Sequence, residues 1–145
     1  MIEKLQYEVR FGCYGAEYQE AKRRGLTNWP KGDPDLWWVT IRHPGGREYS
    51  FPFATAEALR DDRIMPTAKE KNVFLLALAS IAKDTLFYEG VGNFEEFCSE
   101  LGYDPEDPKS KKRYRNLKES AQHTKKLLGE DFDKVVKELE ELELL

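Results

Sequence analysis

The sequence predicts an α+β fold, because three segments of period-two hydrophobic alternation come first and a series of helical patterns follows them. The expected architecture is a small antiparallel sheet of three strands or more, packed on a central helix, with a C-terminal helical region. At 145 residues, with 40% hydrophobic and 12% aromatic side chains, the chain has material for one core and too little for two. Residues 1–145 therefore read as a single domain. Its strand-rich part is 1–66, with a long loop at 14–35, and its helical part is 67–145.

Leu5, Tyr7, Val9 and Phe11 alternate with Gln6, Glu8 and Arg10, which predicts a strand over 3–13 with one buried face. The segment after Gly15 loses that pattern, and Asn28, Pro30, Gly32, Asp33 and Pro34 impose turns. Trp37, Val39 and Ile41 restore the alternation over 37–42. After His43-Pro44-Gly45-Gly46 it resumes in Tyr49, Phe51 and Phe53, so 37–42 and 47–53 form a hairpin. Pro52 has no N–H to give to a ladder, which assigns its strand to the sheet edge. A capping-box spacing at Thr67 and Glu70 opens a helix over 68–83, whose Val73, Phe74, Leu76, Ala77, Leu78 and Ile81 fit a central packed position. Asn93 caps a short helix carrying Phe94, Phe97, Cys98 and Leu101, and Gly102 stops it. Asp107 caps and Pro108 begins a longer helix with the stripe Tyr114, Leu117, Ala121, Thr124 and Leu128. Past Gly129, Phe132, Val135, Val136, Leu139 and Leu142 mark a last helix, expected to pair antiparallel with its predecessor.

Most catalytic chemistry lacks its residues here. The two histidines, His43 and His123, stand 80 positions apart without ligand-spaced companions, and Cys13 and Cys98 read as reduced thiols at a strand end and on a core helix face. The glycine pairs lack the lysine or third glycine of phosphate loops, and Pro105 and Pro108 interrupt what would be a calcium loop at Asp104, Glu106 and Asp107. No catalytic, cofactor or metal residues are assigned, and the chain is expected not to be an enzyme. With no long apolar run and no basic leader before a hydrophobic stretch, neither a membrane span nor a secretory signal is expected, and the expected compartment is the cytoplasm.

The charge is unevenly distributed. Residues 89–107 carry seven acids and no base, residues 108–126 carry eight bases against Glu119, and residues 130–143 carry seven acids against Lys134 and Lys137. Such blocks predict helices whose charges meet across their seams. Within the basic helix Lys111, Arg115, Lys118 and Lys125 recur at spacings of 4, 3 and 7, which lines them along one side beside the Tyr114 stripe. A rail of this kind can follow a phosphate backbone, assisted by Ser110, Asn116 and Gln122, if the acidic neighbours leave it free. A chain with net charge −4 favours the alternative, that the rail faces those neighbours. Trp29, Trp37 and Trp38 exceed what one small sheet face hides, and are the candidate anchors of a protein interface.

The string Phe94-Glu95-Glu96-Phe97-Cys98-Ser99-Glu100-Leu101-Gly102-Tyr103-Asp104, with the basic segment around Tyr114, resembles a family of small phage and prophage proteins of uncharacterised function. The likeness extends to the Trp38-Val39-Thr40-Ile41 and Tyr49-Ser50-Phe51-Pro52-Phe53 hairpin and to Pro66-Thr67, so it covers roughly residues 36–125. It implies an accessory protein that binds a protein or ribonucleoprotein complex in a bacterial or archaeal host cell. Anti-defence inhibitors, anti-CRISPR proteins among them, are a natural subclass. Nucleic-acid binding through the basic helix is the competing expectation.

Overall fold

A computed structural model describes residues 1–12, 36–53 and 70–145 of the chain. Among them the architecture is α+β. Strands β1 (Gln6–Gly12), β2 (Leu36–Arg42) and β3 (Glu48–Phe53) form one antiparallel sheet in the order β1-β2-β3. Helices α1 (Glu70–Val91), α2 (Phe94–Leu101), α3 (Pro108–Leu128) and α4 (Phe132–Glu141) follow. No helix among the described residues is long and apolar enough to cross a membrane.

Register aligns the apolar positions of the sheet: Tyr7 pairs with Ile41 and Ile41 with Tyr49, while Val9 pairs with Val39 and Val39 with Phe51. Val39, Ile41 and Phe51 are buried and join Phe74, Ala77, Leu78, Ile81 and Ala82 of α1 in one core. That is the expected packing of sheet on helix. Tyr7 stacks on Phe74 with ring centroids 4.2 Å apart, extending the contact to the sheet margin. β3 is an edge strand, as Pro52 requires. In the hairpin turn Gly46 takes φ +94°, a conformation costly for any residue with a Cβ.

Two boundaries and one packing relation differ from expectation. Residues Ile2–Lys4 form a 3-10 turn where the strand was expected to begin, because the Ile2 N–H and the terminal ammonium both reach Glu138 of α4, the ammonium at 2.7 Å. Helix α1 runs past residue 83 to Val91, since Thr85, Phe87 and Val91 continue its inward face. Buried Thr85 tolerates that position by donating its hydroxyl to the Ile81 carbonyl at 2.6 Å. Finally, α3 packs chiefly along α1, with lesser contacts to α2, β3 and α4, so the pairing of the last two helices is subsidiary.

Helix ends follow the sequence closely. Asn93 accepts from the Glu96 N–H at 2.8 Å to start α2, and Gly102 ends it at φ +70°. Asp107 accepts from the Lys109 N–H at 2.9 Å at the start of α3. Around α2, Phe97 and Cys98 are buried in a second cluster with Val91, flanked by Phe87, Phe94, Tyr103, Tyr114 and Leu117. Leu101 departs from the expected packing: it is 44% exposed, because α2 ends within two turns and its last apolar residue reaches the mouth of a groove. The expected long loop at 14–35, Cys13, the 54–66 segment and the Thr67 cap lie outside the described residues.

Candidate functional site

Helix α3 presents two different flanks. With 3.6 residues per turn, Lys111, Arg115, Lys118 and Lys125 fall within an arc of about 80°, and the inward residues Ala121, Thr124 and Leu128 sit about 100° away from its centre. Burying that stripe against α1 turns all four bases outward, and all four are exposed. Lys125 pairs with Glu89 at 3.3 Å and lies over the Phe132 ring. Lys111, Arg115 and Lys118 form no ion pair among the described residues.

For Lys111, Arg115 and Lys118 this corrects the expectation that the rail faces acidic neighbours, while Lys125 meets it through Glu89. The acids meet other demands: Asp107 caps α3, Asp104 closes its own turn on the Glu106 N–H, Glu138 holds the terminal ammonium, and Asp131 holds His43. Glu95, Glu96, Glu100 and Glu106 are exposed. Of the three polar residues expected to assist the rail, Gln122 alone shares its face. Ser110 is buried at the start of the helix, and Asn116 lines the groove on the far flank.

That groove, of about 640 Å³, lies between α1, α2 and α3. Buried Phe51, Ile81 and Phe97 are among its apolar walls, with Phe87 and Tyr103 beside them. Phe97 meets Tyr103 edge-on at 5.7 Å between centroids, and the Arg113 guanidinium lies over the Tyr103 ring, 4.6 Å from its centroid. Asp84 of α1 and Asn116, Ser120 and His123 of α3 supply polar groups. Asp84 makes no hydrogen bond or ion pair among the described residues. Burial pushes its carboxyl above the ordinary carboxylate range, with the Lys83 charge opposing. Burial lowers the His123 pKa against the pull of Glu119, and the ring stacks on Tyr49 with centroids 4.9 Å apart. The shift favours the neutral imidazole, which has a ring nitrogen able to accept a hydrogen bond.

The groove is not legible in the sequence, because Asp84 comes from one helix and Asn116, Ser120 and His123 from another, 32 to 39 positions further along the chain. One signal is present. Asp84 interrupts the apolar face of α1 between Ile81 and Thr85, a charged residue where packing calls for none.

His43 and Cys98 take structural positions. The ring of His43, itself buried, binds Asp131 Oδ2 through Nε2 at 2.8 Å, and its Nδ1 accepts from the Gly45 N–H at 2.9 Å. Both nitrogens are thus engaged, and the bond to His43 holds the Asp131 carboxyl below its usual range despite an opposing desolvation. Nearby Arg47 donates to the Leu127 carbonyl at the C-terminus of α3. Burial pushes the free Cys98 thiol up, with Asp104 adding to the shift, which suits a small core residue. Trp37 and Trp38 occupy neighbouring positions on β2, in register with Phe53 and Pro52. Their side chains, and all of Trp29, lie outside the described residues. No grouping of three or more potential metal-ligating His, Cys, Asp or Glu occurs among the described residues. Compared with family models, curated proteins and solved structures, the chain matches none.

Proposed function

We propose that the protein is a small non-catalytic accessory protein that binds a host protein or ribonucleoprotein complex and modulates it, with the outward basic flank of α3 as a contact surface. The observation that carries this reading is the set Lys111, Arg115 and Lys118, exposed and without ion pairs among the described residues. Bases held on a rigid helix flank favour association with an acidic patch and steer the encounter. Exposed Asp104, Glu106 and Asp107 precede the helix and exposed Glu130 follows it, so the rail, about 21 Å from Lys111 to Lys125, is bounded by carboxylates. A protein patch of limited size fits that boundary better than a continuous phosphate backbone. Engaged histidine nitrogens at His43 and a buried Cys98 thiol support a non-catalytic reading. The resemblance to phage and prophage proteins supports an anti-defence role, including anti-CRISPR inhibition, in the host cytoplasm.

Nucleic-acid binding is the second reading, favoured by the same unpaired bases. Capture from host extract, with and without nuclease, separates the two. Under the protein reading a partner persists after nuclease and is lost when Lys111, Arg115 and Lys118 are all changed to Glu. Nuclease-sensitive capture, or duplex DNA binding whose log affinity falls with log salt by about 0.9 per phosphate contacted, overturns it in favour of nucleic acid.

A further inference from the structure

We infer that the groove between α1, α2 and α3 binds a small organic cation with an aromatic or apolar body, whose positive end pairs with Asp84. The volume of about 640 Å³ falls within the range of roughly 300–1,000 Å³ typical of small-ligand sites. Phe51, Ile81, Phe87, Phe97 and Tyr103 offer apolar and aromatic walls, and ring faces attract cations.

The polar side can accept hydrogen bonds at several points: the Asp84 carboxylate, which only accepts, and the Asn116 carbonyl, the Ser80 and Ser120 hydroxyls and a His123 ring nitrogen, on side chains that also carry donors. An ammonium or amidinium group supplies several donors to such a set. Two bases also border the groove and set the opposing field. Arg113 is engaged on the Tyr103 ring, and Lys83 is exposed beside Asp84 in α1. Asp84 is the acidic group of the groove lining, and it lacks an ion pair or hydrogen bond among the described residues. A half-buried carboxylate in that state gains most from a ligand that brings its own positive charge.

The groove and the basic rail lie on nearly opposite flanks of α3, about 160–180° apart around its axis. The ligand proposal consequently stands or falls apart from the partner reading. Its test uses the full chain and three related probes, 2-phenylethylammonium, 2-phenylethanol and 3-phenylpropionate, titrated at constant ionic strength and followed by amide chemical shifts. The ammonium should bind at least about tenfold more tightly than the alcohol, the gain of one charge-assisted hydrogen bond, with the largest shifts at Asp84, Asn116 and Ser120. Asp84→Asn should bring the ammonium down to the level of the alcohol while leaving the alcohol unchanged. Arg113→Gln should tighten ammonium binding. Preference for the propionate, equal binding of all three, an ammonium preference that survives Asp84→Asn, or no binding at all would overturn the proposal.

Discussion

A carboxylate in the position of Asp84 weakens the fold that holds it. Its carboxyl is raised by burial, so the native state binds that proton more tightly than the unfolded chain does, whose value lies near 3.8. By linkage its contribution to stability worsens as pH rises from the unfolded value through the raised folded one, and the penalty is complete above the folded value. Asp84→Asn is therefore expected to raise the midpoint of thermal unfolding at pH 7, with the gain fading as the pH is brought below 4. Melting curves of the two proteins across that range check it, and an Asn variant that is less stable at pH 7 refutes it. A carboxylate that costs the fold stability where it stands fits a role in binding.

Among the elements, α2 shows how a short helix is held by its partners. Eight residues are too few to be stable alone, and Phe97 supplies the anchor, touching the rings of Phe87, Phe94, Tyr103 and Tyr114. Phe97→Ala should cost about 3–5 kcal/mol in denaturant unfolding, as loss of a buried aromatic generally does, and unchanged stability would show that the string serves an exposed role. The caps of this helix and the next were legible in the sequence because Asn93, Gly102, Asp107 and Pro108 act through local backbone geometry. The hairpin and its register were legible for a similar reason, since alternation and the Gly45-Gly46 turn are local. What escaped was set by distant partners. Glu138 draws the N-terminus into a turn, α1 continues because Phe87 and Val91 find α2, and α3 chooses α1 over α4. The rail was visible as spacing, but whether its bases were paired depended on how far α3 rotates to bury Ala121 and Thr124, which no local pattern encodes.

At the scale of the molecule, the net charge of −4 conceals a surface divided into a basic strip and acidic ends. Because Lys111, Arg115 and Lys118 form no ion pairs among the described residues, replacing all three by Glu should leave stability within about 0.5 kcal/mol per site, the usual range for exposed positions. Chemical denaturation measures this directly. A loss of several kcal/mol would mean that the strip does pair with its acidic neighbours in solution, and would return it to a structural role.

The contacts of the hairpin turn with the far end of α3 also bear on the order of events in folding. His43 meets Asp131 across 88 positions and Arg47 meets Leu127 across 80, so both bonds close very long loops. Helices α1 to α3 are joined by short connections and can associate early, whereas the hairpin must find its place from far along the chain. The latch is then expected to form after the rate-limiting step, with its strength governing the unfolding rate. His43→Gln should accordingly speed unfolding in stopped-flow measurements while leaving the folding limb nearly unmoved. Slowed folding with unaltered unfolding would place the hairpin in the nucleus instead.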